Sequence, residues 1–238
     1  MSWLSRLFAG QEAGGLTLTA EQQQSIANWR QLPEPELRRS HFRSRYVVVD
    51  VEASGINVKT DRLCAIAALA LVDGQLRFRD AFQLLLTDAK AVGDPVPRAD
   101  GILKPIAEDG EPEVDALISF LHFVGKSPLV AYNVPFVAAM IERELAARLG
   151  VELALPWIDL AWVMPDLFRQ VDQTQTGLDT WLDHFGIESI RRHDAVSDAY
   201  VAAQLLQIAI AAAAHKGIDT PAGLLELEKA RRHMHQSG

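Results

Sequence analysis

One cysteine, Cys64, occurs in 238 residues. That count excludes a disulfide scaffold and a thiolate zinc site, since each needs partner thiols. So little thiol fits a reducing compartment, and the expected location is cytoplasmic. Also lacking is any excess of positive charge: 23 Lys and Arg against 31 Asp and Glu leave a formal charge of −8. Such a balance argues against broad, charge-driven coating of nucleic acid. It leaves open an enzyme that grips a nucleic-acid end through metal ions, because that site needs carboxylates itself. No run approaches the roughly 20 apolar residues of a transmembrane segment. The nearest, 199–214, carries Gln204 and Gln207 and reads as a buried core helix. Residues 1–10 carry one Arg and a short apolar face of Trp3, Leu4, Leu7 and Phe8. They make a poor secretion signal and read as an end packing on its own domain. G-x-G-x-x-G, P-loop and H-E-x-x-H patterns are missing, as are internal repeats and low-complexity segments.

What is there is a globular balance, with 49% hydrophobic and 23% charged residues, enough chain for one large domain and a sizeable core. Thr19 followed by Gln22 is a capping-box pattern, and Ile26 and Trp29 mark one amphipathic helix that ends before Pro33. The run RRSHFRSR (38–45) reads as a phosphate-contacting strip or as a solvated surface run. Tyr46–Val51 is apolar on both faces, as in a central strand, and Arg62–Val72 is a second apolar run. Asp73-Gly74 between two strand-like runs predicts a hairpin, with Leu76, Phe78, Phe82 and Leu84 on one face of the returning strand. Residues 87–110, rich in Pro and Gly, read as a long irregular loop. Beyond it the pattern predicts a helix over 113–124, a buried strand over 128–132 and a helix over 134–149 stopped at Gly150. Further helices are expected near 159–168, over 177–185 opened by Thr176 and closed at Gly186, over 195–215, and over 220–234. The fold class is α/β: a mixed sheet of about five strands with helices on both faces. The expected division is a helical extension and linker over 1–44, a core over 45–215, and a helix and tail over 216–238.

Two clusters could carry chemistry. Asp50 and Glu52, in VVVDVEASG, are two apart on a strand and so point to the same face. Paired carboxylates leaving a hydrophobic strand are costly unless a cation meets them, and oxygen ligands favour Mg²⁺ or Mn²⁺. The alternative is a strand end whose acids point into water. In RRHDAVSDAY, His193 and Asp198 bracket the start of an apolar helix, with Asp194 as its N-cap. An inward carboxylate there could complete a metal site, and a histidine at the helix entrance could take a proton from water. Cys64 reads as a packed thiol, Trp157, Trp162 and Trp181 as core residues in helical contexts, and His233 and His235 as part of a mobile tail.

Together, D-x-E on the first strand, the three-stranded opening and H-x-x-x-x-D on a late helix resemble the DEDDh 3′–5′ exonuclease family. Its members include the proofreading subunit of bacterial DNA polymerase III, oligoribonuclease and ribonuclease T. The resemblance spans roughly 45–212 and rests on VVVDVEASG (47–55), HDAVSDA (193–199), the Asp73-Gly74 hairpin and TGLDTWLDHFGI. It implies a ribonuclease-H-like fold and a two-metal site acting on single-stranded or frayed nucleic-acid 3′ ends. Asp50, Glu52 and Asp198 would be ligands, with Glu52 also touching the terminal 3′ hydroxyl. His193 would be the general base. Ala53, Ser54 and Gly55, with Asn133 and Phe136, would line the last nucleotide.

One acid of the family pattern is missing. Where the middle motif reads H-N-x-x-F-D, this chain has YNVPFV (132–137). Asn133 and Phe136 match, Tyr132 replaces the His, and Val137 stands at the Asp position. Valine cannot ligate a metal. Glu144, seven residues on and about 10 Å along a helix, is no substitute. The step ILKPIA (102–107) also departs from the family's Ile-His-Gly-like loop. Losing a carboxylate should cost at least about 10–100-fold in metal affinity or activity, and should weaken the second metal most. Two classes follow: an impaired exonuclease, or an inactive relative kept as a nucleic-acid-binding or protein-docking module. The extension over 1–44 is a candidate segment for a protein partner.

Overall fold

A computed structural model describes residues 17–86, 113–171, 177–191 and 194–236. The expected loop over 87–110, with ILKPIA, lies outside the described residues, as do Thr176 and the segment 1–10.

Helix α1 (Ala20–Arg30) opens with the expected capping box: the Thr19 hydroxyl accepts from the Gln22 amide, and the Gln22 side chain accepts from the Thr19 amide. Strands β1 (Arg45–Ala53), β2 (Leu63–Val72) and β3 (Gln75–Leu85) form an antiparallel meander. Asp73 and Gly74 both have positive φ, 53° and 77°, the geometry of a type I′ turn. A Cβ on Gly74 would lie 2.8 Å from the Phe42 ring, a second reason for glycine there. After α2 (Glu113–Val124), strand β4 (Leu129–Ala131) pairs parallel to β1. Helix α3 (Val134–Leu149) then leads to β5 (Trp157–Asp159), parallel to β4. Helices α4 (Leu160–Leu167), α5 (Leu178–Phe185), α6 (Ala195–His215) and α7 (Pro221–Gln236) complete the described chain.

The sheet order β3-β2-β1-β4-β5 puts β1 in the middle, as its two apolar faces require. Val47, Val49 and Val51 face one core, closed by α1, α2 and α3; Tyr46 and Val48 face another, closed by α4, α5, α6 and α7. This is a ribonuclease-H-like α/β fold. Helix α6 is long and apolar enough to cross a membrane, but 67% of its apolar window is buried within the fold, where it is the core helix.

Three expectations about strands and helix starts are corrected. The residues Leu76, Phe78, Phe82 and Leu84 do not share a face. Between Leu69↔Ala81 and Ala70↔Arg77, β2 advances one residue while β3 advances four. The odd number of inserted residues flips the alternation, so Leu76 packs on the α6 side, Phe82 and Leu84 on the α2 side, and Phe78 is exposed. Trp157 lies in β5, not in a helix: it pairs parallel with Leu129, and Trp and Ile are residues that strands favour. Helix α5 has Gly177 as its N-cap.

The run over 38–45 is solvated at Arg38, Arg39, Phe42 and Arg43, whereas His41, Ser44 and part of Arg45 turn inward. Buried His41 joins the Tyr46 hydroxyl (2.5 Å) and the Ile218 carbonyl (3.0 Å). Arg45 donates to the Phe123 carbonyl and the Ser127 hydroxyl, both at 2.9 Å. The run packs beside the residues that follow α6, whereas Asp198 lies in that helix's first turn. The two ends are about 30 Å apart at 1.5 Å per residue.

Candidate metal centre

Asp50 and Glu52 continue the face of β1 that carries Tyr46 and Val48, so they point toward α6. Opposite them on β2 stand Ala67 and Ala65. These two alanines pack with Ala195, Val196 and Ala199 of α6 in a small apolar cluster. Side chains this small let the start of α6 approach the sheet closely. Asp194 fixes that start: its carboxylate accepts from the Ser197 amide (2.9 Å), and its carbonyl accepts from the Asp198 amide (2.8 Å). Asp198, buried in the first turn, gains from the helix dipole and faces the strand pair.

Asp50, Glu52 and Asp198 each offer a carboxylate oxygen, and these oxygens lie within 4.8 Å of one another. Three hard oxygen donors at that spacing, with no sulfur or nitrogen among them, suit a divalent cation such as Mg²⁺ or Mn²⁺. The sequence clusters, 146 residues apart from Glu52 to Asp198, are thus brought together by the fold. His193, the expected base, lies outside the described residues.

The turn after Glu52 is tightly held. The Ser54 amide donates to the Arg62 carbonyl and the Arg62 amide to the Ser54 hydroxyl, both at 2.9 Å. Within the loop the Asp61 carboxylate accepts from the Asn57 amide at 2.7 Å. A Cβ on Gly55 would come 2.4 Å from that carboxylate, so a larger residue there would have to displace the Asp61 side chain from its bond to Asn57. From α3, Arg143 donates to the carbonyls of Val58 (2.5 Å) and Asp61 (2.6 Å). Beyond Gly55, Ile56 stands 92% exposed.

Across the sheet, Asn133 has left-handed backbone geometry (φ 67°, ψ 59°) and starts α3. Phe136 is partly buried against the α2-side core, and Val137 is inside that core, 2% exposed. Glu144 is engaged elsewhere, bonded to Arg143 (3.2 Å) and Arg148 (3.1 Å), so it does not replace the missing acid. Tyr132 packs against the α6-side core, and burial holds its hydroxyl well above the usual range. Cys64 is a buried thiol on β2 whose ionisation burial disfavours, as expected of a packed residue. Trp181 is fully buried, whereas Trp162 is partly exposed under Arg232. His233 and His235 belong to α7 rather than to a mobile tail, and His235 sets its ring edge on Trp162 at 5.3 Å.

Residues 47–206 match the model of the Exonuclease family, RNase_T. The chain belongs to that family. Among curated relatives, the PolC-type DNA polymerase III of Clostridium perfringens is 29% identical over 167 residues, covering 70% of this chain and 11% of that protein. The PolC-type enzyme of Bacillus subtilis is 28% identical over 174 residues, covering 73% and 12%. The exonuclease-family chain therefore spans about a ninth of the length of the relatives it matches. Among solved structures, Escherichia coli ExoI bound to single-stranded DNA aligns at 17% identity and TM-score 0.48, covering 71% of this chain and 41% of that one. Cell-death related nuclease 4 aligns at 14% identity and TM-score 0.49, covering 71% and 64%.

Sequence reasoning missed Asp159, Arg143, Glu228 and Arg232. Asp159 is 1% exposed at the end of β5 and caps α4 through the Ala161 amide (3.1 Å). The signal available was an acid between an apolar strand and an apolar helix in WIDLAW; the other three stand on helices at ordinary spacing and carry none.

Proposed function

We propose that this exonuclease-family chain is a metal-dependent 3′–5′ exonuclease that releases nucleoside 5′-monophosphates from single-stranded or frayed 3′ ends, slowed by valine at position 137. The observation that carries the reading is the convergence of Asp50, Glu52 and Asp198 beside a rigid turn. Asp50, Glu52 and Asp198 would hold the divalent ions, the second one weakly for want of a fourth acid. When bound, such ions supply positive charge against the phosphate oxygens. The chain's own residues do the rest. Ala53, Ser54 and Gly55 line the last nucleotide, with Asn133 and Phe136 facing it from the start of α3, and Glu52 also accepts from the terminal 3′ hydroxyl. His193 takes the proton of the attacking water as its oxygen bonds to phosphorus; the bond to the 3′ oxygen of the preceding nucleotide breaks, and that oxygen takes a proton from solvent and ends as a hydroxyl, while His193 returns its proton to solvent. The curated relatives are DNA polymerases, so a DNA end is the first substrate to try, with RNA beside it. Cys64 as lone thiol fits a cytoplasmic setting.

A second reading is favoured by one observation. Val137 is packed into the core with no polar role, which suits a relative that binds nucleic acid or a protein without cleaving. A 5′-labelled single-stranded oligonucleotide, incubated with Mg²⁺ and separately with Mn²⁺, decides between them. The exonuclease gives a ladder of 3′-shortened products that Asp50→Ala abolishes. A protein that cleaves only after Val137→Asp supports the binding module.

A further inference from the structure

Asp159 is a buried carboxylate that the proposed hydrolysis does not use, and it joins four elements. Its Oδ1 accepts from the amides of Asn133 (3.0 Å) and Ala161 (3.1 Å). Its Oδ2 accepts from the Val134 amide (3.2 Å) and from Arg232 Nη2 (2.9 Å). The Asp159 amide in turn donates to Glu228 Oε2 (2.8 Å), whose other oxygen accepts from Arg232 Nε (2.8 Å). Two carboxylates thus share one guanidinium, which also lies 4.6 Å over the Trp162 ring. Burial disfavours ionisation of both acids, and Arg232 opposes that effect on each.

The Asn133 and Val134 amides aim at one anion because Asn133 takes the left-handed conformation, which costs a non-glycine residue energy unless its surroundings hold it. Asp159 supplies that hold, and Arg232 is the formal charge that makes a buried Asp159 tenable there.

We propose that Arg232, near the end of α7, is a positioning residue for the nucleic-acid 3′ end: through Asp159 it fixes the Asn133 turn and the start of α3, against which the last nucleotide is held. The inference rests on the exonuclease reading above.

Full-length Arg232→Met keeps the aliphatic stem and removes the bonds, and Arg232→Lys returns the charge. With 5′-labelled single-stranded DNA and Mn²⁺, Arg232→Met should raise KM about five- to ten-fold with kcat within about two-fold, and Arg232→Lys should recover part of the loss. Amide exchange at Asn133 and Val134 should quicken about ten-fold or more, with the first turn of α6 unchanged. If the parent protein binds without turnover, the Kd for the same oligonucleotide replaces KM, with the same expected shift. An unchanged KM or Kd in folded Arg232→Met overturns the inference, as does a lowered Tm with unaltered exchange at Asn133. Should Arg232→Met not fold, Arg232→Lys carries the comparison with a smaller rise, and an unchanged value in it overturns the inference equally. Asp50→Ala in the same assay keeps the two ideas apart: cleavage that survives it defeats the exonuclease reading, whereas Asp50-dependent cleavage indifferent to Arg232 defeats only the positioning role.

Discussion

Val137 sits where the family pattern places an acid, and its side chain contributes to the layer of Val49, Val51 and Met140 rather than to the carboxylate group. Val137→Asp therefore puts a charge into a site now 2% exposed. Without metal it should cost about 1–3 kcal/mol of stability. A divalent ion that binds the folded protein through the new carboxylate returns part of that by linkage. The expected result is a Tm below the parent in EDTA, a larger rise on adding Mn²⁺ than the parent shows, and hydrolysis increased about ten-fold or more. Equal Mn²⁺ responses in the two proteins would mean that position 137 does not reach the metal. His41 makes a separate residue-scale case. Burial lowers its pKa from 6.5, although the Ile218 carbonyl and Asp219 pull the other way, and its two ring nitrogens are both engaged. The neutral ring accepts from the Tyr46 hydroxyl and donates to Ile218. Because the folded pKa is depressed, the unfolded chain binds the proton first, so stability is undiminished above 6.5 and is lost as pH falls from there toward the folded value. Urea unfolding at about pH 7.5 and about pH 5.5 should show a drop that His41→Phe shrinks, the variant itself being less stable at the higher pH for its unpaired Tyr46 hydroxyl and Ile218 carbonyl.

Helix α3 reaches the loop between β1 and β2 through Arg143, whose two bonds to the Val58 and Asp61 carbonyls complement the Ser54–Arg62 pairing. Arg143→Met should leave the strands intact while speeding amide exchange across 54–62, and should raise KM for a single-stranded oligonucleotide several-fold, about as a mispositioned substrate contact does. Unaltered exchange there would show that the Ser54–Arg62 pairing and the Asp61 carboxylate hold the loop without Arg143. Elements of this kind were legible where local chemistry and tertiary need agree. The capping box at Thr19, the Asp-Gly turn, and the glycines that close α3 and α5 are local signals, and the structure uses each. The carboxylate pair was legible because strand periodicity alone aligns Asp50 with Glu52. What could not be read needed pairing across the chain. A three-residue excess in β3 inverts its faces, parallel registry recruits Trp157 into the sheet, and the Asp159 network draws on residues from β5, the start of α3, α4 and α7. Hydrophobic pattern reports burial, not which buried acid meets which arginine.

At the scale of the molecule, the family match over 47–206 leaves out elements that both cores use. Ile26 and Trp29 of α1 are 3% exposed in the α2-side core, and Leu224 of α7 is fully buried in the other. Trp29 also donates to the Gly125 carbonyl (2.9 Å), and Arg231 pairs with Asp166 at 2.7 Å. Truncating large buried side chains costs about 2–5 kcal/mol each. Three such losses approach or exceed the roughly 5–15 kcal/mol that holds a domain together. Removing α7 would also leave Asp159 and Asp166 buried without their arginines, and a stranded buried charge costs more than its ion pair returned. A polypeptide of residues 45–215 should therefore show no cooperative thermal transition at 25 °C and above, or one far below that of the full chain. Circular dichroism melts of the two, with the Arg232→Met protein between them, measure this. A 45–215 fragment that melts within a few degrees of the parent would make α1 and α7 appendages, and the positional coupling from Arg232 to Asn133 would lose its structural basis. A fragment that fails to fold makes them part of the folded body, one closing each core.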